Sequence, residues 1–130
     1  MPIRLLFIVL MAASLTAGCS SAPVRDMGLD KFAPRKAEQA LSDGLKNYEN
    51  GRYQPAAKNL LSALNNGLTF KSDQVTAHKY LAFIYCVTER EKLCREQFKK
   101  ALDINPAFEL TAAEAGHPIW GPIFRRTKTK

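Results

Sequence analysis

A chain of 130 residues encloses one modest core, which excludes an assembly of several domains. Its formal charge of +7 points to nucleic acid, an anionic membrane surface or an acidic protein face as partner. No apolar run approaches the ~20 residues needed to span a bilayer, which argues against a permanent transmembrane helix.

The chain opens with the three parts of a secretory signal. Arg4 supplies a positive charge, Leu5 to Ala13 form an uncharged apolar run, and Ser14 to Gly18 are small and neutral apart from Leu15. The segment closes on Leu15-Thr16-Ala17-Gly18-Cys19, which resembles the bacterial lipobox, with its leucine one place early. The resemblance implies that residues 1–18 are removed as a signal peptide and that Cys19 accepts a covalent lipid. No other cofactor is expected. The alternative is an ordinary cleaved signal with an incidental cysteine. Acyl chains contribute about 0.8 kcal/mol per buried methylene, so two or more of them anchor a protein stably. Ser20 follows the cysteine where an aspartate would signal retention in the inner membrane. By resemblance to sorted lipoproteins, the expected location is the outer membrane, lipid-anchored and facing the periplasm. Loss of the signal leaves 112 residues and, with Arg4 gone, a charge of +6. Nucleic acid is not an expected partner there.

Residues 19–36 comprise the lipidated cysteine and a tether. Pro23, Gly28 and Pro34 interrupt it and it lacks helical periodicity. Extended at about 3.3 Å per residue, the tether reaches roughly 50 Å from the anchor.

From Ala37 the spacing becomes helical. Ala37, Ala40, Leu41, Gly44, Leu45 and Tyr48 recur at threes and fours until Asn50-Gly51 breaks the run. A second run, Ala56 to Leu64, stops at Asn65-Asn66-Gly67. A third begins after Ser72-Asp73 and carries Val75, Leu81, Ala82, Ile84 and Tyr85. The fourth, from Leu93 to Ile104, ends at Asn105-Pro106. Strand-type alternation is absent, so the expected fold is all-α, with four helices paired as two hairpins. The hairpins match at an offset of 38: Gly44 with Ala82, Ala56 with Cys94, Leu60 with Phe98, and Leu64 with Leu102. Small positions match small and large match large, as close packing of antiparallel helices requires.

Residues 37–108 therefore resemble two tetratricopeptide repeats, each a 34-residue helix–turn–helix in that family. The second copy carries Leu81-Ala82, Tyr85, Cys94, Phe98, Ala101-Leu102 and Pro106 at the family's spacing. The first departs at Asp43 and Asn47 and has a longer link to its neighbour. Such repeats bind proteins in a groove lined by the first helix of each pair. The resemblance places Leu41, Leu45, Tyr48, Lys79, Phe83, Cys86 and Val87 on that groove. The other reading is that several of them pack against the tether or the C-terminal segment.

Residues 109–130 follow as a C-terminal helix, cap and basic tail. Glu109 to Ala115 form a short helix in this reading. Gly116, Pro118, Gly121 and Pro122 then end helical structure, and Ile119, Trp120, Ile123 and Phe124 concentrate apolar area in a short span. That span is either a cap over the last hairpin or a docking peptide anchored by Trp120. Arg125 to Lys130, four cations and no acid, form a solvated end or contact headgroups or an acidic protein.

Cys86 and Cys94 flank the turn Thr88-Glu89-Arg90. In an oxidising compartment they form a disulfide if their Cα atoms lie within about 7 Å; otherwise they are buried thiols. His78 and His117 are far apart in sequence and no ligand spacing accompanies them, so no metal is expected. Glu109 and Glu114 read as solvated. No catalytic constellation stands out, and the expectation is a non-enzyme. The leading reading is an adaptor or assembly factor that holds a protein partner in a cell-envelope machine, such as a type VI secretion system or type IV pilus. The alternatives are a peptidoglycan-associated structural lipoprotein and an activator of a periplasmic hydrolase.

Overall fold

A computed structural model describes residues 35–130. The signal peptide, Cys19 and nearly all of the tether lie outside the described residues. Among the described residues the chain forms helices α1 (Lys36–Glu49), α2 (Tyr53–Asn65), α3 (Lys71–Val87), α4 (Glu91–Ile104), α5 (Ala112–Ala115) and α6 (Trp120–Lys128), and no strand. Helices α1 and α2 form one antiparallel hairpin, α3 and α4 a second, and α2 packs on α3 between them. The fold is all-α and built on two hairpins.

The offset of 38 extends to the helix ends. Glu49 and Tyr53 bound the first turn; Val87 and Glu91 bound the second. Both turns close with the same pair of backbone bonds. Gly51 N–H donates to Tyr48 O and Arg52 N–H to Asn47 O. In the second turn Glu89 N–H donates to Cys86 O and Arg90 N–H to Tyr85 O. This Schellman arrangement needs a left-handed residue just past the helix. The first hairpin supplies Gly51 at φ 71°, whereas the second forces Glu89 to φ 60°. Left-handed backbone costs a residue with a Cβ roughly 1–2 kcal/mol. Glu89→Gly is therefore expected to stabilise the fold by about 0.5–1 kcal/mol, after glycine's larger entropy loss. Chemical denaturation checks this.

The small–large matches appear as contacts. Gly44 is buried, and a methyl there would sit 2.9 Å from Leu60 Cδ2, so α1 and α2 approach closely at that point. The central helix is α3. Every residue from Leu81 to Cys86 is buried, because α3 is covered by α4, α2, α1 and α6 in turn. A helix enclosed this way is apolar around most of its circumference rather than along one stripe. The largest fully buried side chains are Phe83, Phe98, Leu60, Leu81, Ile84 and Cys94.

The C-terminal segment departs from expectation. The helix expected over Glu109–Ala115 shrinks to the single turn α5, closed by a capping box in which Thr111 and Glu114 bond each other's backbone N–H. The chain expected to stop being helical at Gly116 resumes as α6, which runs through the basic residues read as a solvated end. Two physical reasons account for this. Pro122 is the third residue of α6, where an N–H would have no intrahelical acceptor, so its absence costs little. Arg125, Arg126 and Lys128 occupy the last turn, where cations oppose the negative end of the helix dipole. Trp120, Ile123 and Phe124, spaced by three and one, turn inward and are buried. α6 packs on α4 and α3, closing the second hairpin.

Candidate functional site

The residues expected to line a groove fall along α1 and α3, and the structure separates them into two groups. Leu41 and Phe83 belong to the core, at 8% and 2% exposure. Leu45, Tyr48 and Val87 are half-buried and pack against that core, and Lys79 is half-buried as well. Cys86 is buried and joined to Cys94 by a disulfide, with Cα atoms 5.2 Å apart.

The second hairpin's part of this face is covered by the chain's own C-terminal segment. Trp120 stacks on Phe83, ring centroids 4.3 Å apart and planes 22° from parallel, and His117 stacks on Trp120 at 3.4 Å. The indole N–H donates to Glu114 O at 2.8 Å. Lys79 Nζ reaches Glu114 Oε1 at 2.7 Å and lies 4.8 Å from the Tyr80 ring centroid. Trp120 is thus 9% exposed and committed to intramolecular contacts.

The first hairpin's part is more open. Tyr53, 38% exposed, sits 5.7 Å from Tyr48; Tyr48 meets Tyr80 edge-on at 4.8 Å, and Tyr80 meets Phe83 at 5.6 Å. Six rings, from Tyr53 through Tyr48, Tyr80, Phe83 and Trp120 to His117, therefore make one continuous row. Phe83 and Trp120 are buried within it, Tyr80, Tyr48 and His117 are partly buried, and Tyr53 is exposed. Tyrosines combine a large apolar face with a hydroxyl that tolerates water, which suits them to surfaces that are covered part of the time. Burial, reinforced by Tyr53, Tyr80 and Glu114 nearby, pushes the Tyr48 phenol up to about 12, so it remains a neutral donor in the physiological range.

Tyr53, Tyr80 and Glu114 were not among the residues that sequence reasoning placed on this face. Tyr80 precedes the apolar run of α3 and carries no periodic signal of its own. Glu114, read as solvated, is instead tied to Lys79. The pattern Thr111-x-x-Glu114 is the sequence feature that fixes its backbone position.

Two titrating groups support the second hairpin. Burial lowers His78, whose Nδ1–H donates to Oε1 of the buried Gln97 at 2.7 Å. Burial alone would raise Glu114, but the Lys79 ammonium and the Thr111 bonds outweigh it and hold the carboxyl below its ordinary range. Both groups have folded values below their unfolded ones. The stability each contributes is present above the unfolded value and is lost as pH falls. The melting midpoint is expected to be flat above pH ~7. It should decline below about 6.5 as His78 of the unfolded chain takes a proton, and again below about 4.5 as the carboxylates of Glu38 and Glu114, both held low in the fold, do the same. Melts of His78→Asn should lack the first decline.

Among the described residues no cluster of three or more His, Cys, Asp or Glu side chains is placed to hold a metal, and no helix is long and apolar enough to cross a membrane. Comparison with protein families, with curated proteins and with solved structures finds no match to this chain.

Proposed function

We propose that this protein is an outer-membrane lipoprotein, anchored through lipid on Cys19, that works as an adaptor or assembly factor in a cell-envelope machine of the type VI secretion or type IV pilus kind. It holds a protein partner and catalyses no reaction. The observation that carries this reading is the tyrosine row Tyr53–Tyr48–Tyr80, partly buried at Tyr48 and Tyr80 and exposed at Tyr53, on two tightly packed hairpins. A rigid support spares the partner's binding energy from being spent on ordering the site, and amphipathic rings supply contact area with few rotamers to freeze. The lipobox-like sequence supplies the membrane attachment, and the segment ahead of Arg35 supplies the reach.

The test is a pulldown of the lipidated chain from envelope membranes, run beside Tyr48→Ser and Tyr80→Ser. One stoichiometric envelope protein, depleted about ten-fold or more by the substitutions, is expected, since an aromatic hot spot is worth about 2 kcal/mol or more. Recovery of peptidoglycan alone, released by salt or muramidase, would make this a wall-associated structural lipoprotein instead. A hydrolase as the captured partner would make it an activator.

A further inference from the structure

α4 and the end of α6 enclose an open cleft of about 980 Å³, which none of the six rings of the row lines. One wall is a single stripe of α4, where Lys92, Arg95, Lys99 and Leu102 succeed one another at threes and fours. The other wall is the last turn of α6 and the residues after it, Arg126 to Lys130. Leu102 is half-buried and, with Pro106, supplies apolar surface. Six cations line the cleft against two acids, Glu96 and Asp103. Lys99 is paired with Asp103 at 2.8 Å, Arg126 with Glu91 at 3.6 Å, and Lys128 with Glu109. Lys92, Arg95 and Lys130 have no ion-pair partner among the described residues.

This cleft exists because the C-terminal cations are ordered. Had residues 125–130 extended into solvent, α4 would present one basic stripe. Docked as α6, they form a second basic wall facing it. Concentrating like charge in a concavity raises the local potential and draws an anionic ligand in. The chain's own segment before Arg35 does not fit, since residues 20–34 carry two acids and two bases. A flat lipid surface would meet the ridges of the cleft and leave Leu102 and Pro106 uncovered. A protein segment with carboxylates along its edges and apolar side chains between them satisfies both the walls and the floor.

We propose that the α4–α6 cleft is a second interaction surface, which takes an acidic, apolar-studded segment of a protein partner. α4, 14 residues long, runs about 21 Å, a span met by six or seven extended residues. The cleft would act independently of the tyrosine row, so the two surfaces can fail separately.

The probe is a fluorescent peptide of about eight residues alternating Glu and Leu, long enough to fill the cleft. It is titrated by anisotropy into the lipidated full chain in detergent, beside an all-Glu peptide of equal length. The Glu-Leu peptide is expected to bind in a salt-sensitive manner and better than the all-Glu one. The double substitution Lys92→Glu and Arg95→Glu should weaken it about ten-fold or more by placing like charges against it. Arg95→Gln, which adds no repulsion within α4, should weaken it less, and Tyr48→Ser should leave it unchanged. Equal binding of the all-Glu peptide overturns the apolar part of the proposal. Binding that survives charge reversal, or no peptide binding, overturns the proposal itself. So does a preference of Lys92 and Arg95 for phosphatidylglycerol over neutral vesicles, or for sacculi, in place of the peptide. Loss of partner capture in Tyr48→Ser with peptide binding intact would support two separable surfaces, whereas capture that depends on Tyr48 with no peptide binding would leave the adaptor reading standing on the row alone.

Discussion

Trp120→Ala is expected to lower the thermal midpoint by at least about 12 °C, because it removes the side chain that holds the C-terminal segment to the hairpins. Truncating a buried tryptophan costs about 3–5 kcal/mol, and each kcal/mol shifts the midpoint of a domain this size by roughly 4–8 °C. The site has little freedom to collapse. The indole is stacked between Phe83 and His117 and bonded to Glu114 O, so its loss strands three partners at once. Phe124, which contacts Phe98 at 5.1 Å and Phe108 at 5.5 Å, would keep the far end of α6 attached. The expected product is therefore a less stable fold that still melts cooperatively. A circular-dichroism melt decides it. An unchanged midpoint with lost partner capture would instead mark residues 116–124 as a detachable docking peptide.

Reduction of the Cys86–Cys94 bond should lower stability by about 2–3 kcal/mol, chiefly by freeing the unfolded chain, as loop-closure entropy gives for a short loop. The bridge spans eight positions and encloses the turn in which Glu89 is held at φ 60°. It ties the end of α3 to the start of α4, so a strained turn is retained by a covalent link across it. Melts with and without reductant should differ by roughly 10 °C or more, in line with the entropy of a domain this size. A chain carrying Cys86→Ala and Cys94→Ala should melt near the reduced protein and be indifferent to reductant. Equal midpoints for oxidised and reduced wild type would contradict this.

The hairpins were legible because two different signals agreed. Apolar spacing marked the helices, and Asn50-Gly51, Asn65-Asn66-Gly67 and Asn105-Pro106 marked their ends. The offset of 38 was readable in Gly44, Ala82, Leu60 and Phe98, since packing volume is a property of residue type. The backbone of the second turn is the part without a composition cue: nothing in Glu89 itself signals a left-handed conformation, and only its match to Gly51 at the same offset betrays it.

The C-terminal third was harder to read. Gly116, Pro118, Gly121 and Pro122 look like breakers when counted by type. Their effect depends on position, and Pro122 falls in the first turn of α6, where proline is harmless. The spacing of Trp120, Ile123 and Phe124 was the helical signal, too short to outweigh four breakers in a count. The consequence for the site is direct. Repeat-family resemblance places Phe83 and Lys79 on an open groove, but whether a groove is open depends on what else the chain lays across it. Tyr48 and Leu45, which the C-terminal segment does not bury, keep half-exposed positions.

Placing a photo-crosslinking amino acid at Tyr53, the exposed end of the row, tests the central claim most directly. Irradiation of intact cells followed by purification of the lipidated chain should yield one discrete adduct with an envelope protein, absent when Tyr80→Ser is combined with it. A smear of unrelated adducts, or a discrete adduct indifferent to Tyr80, would contradict the claim that this face holds a protein partner.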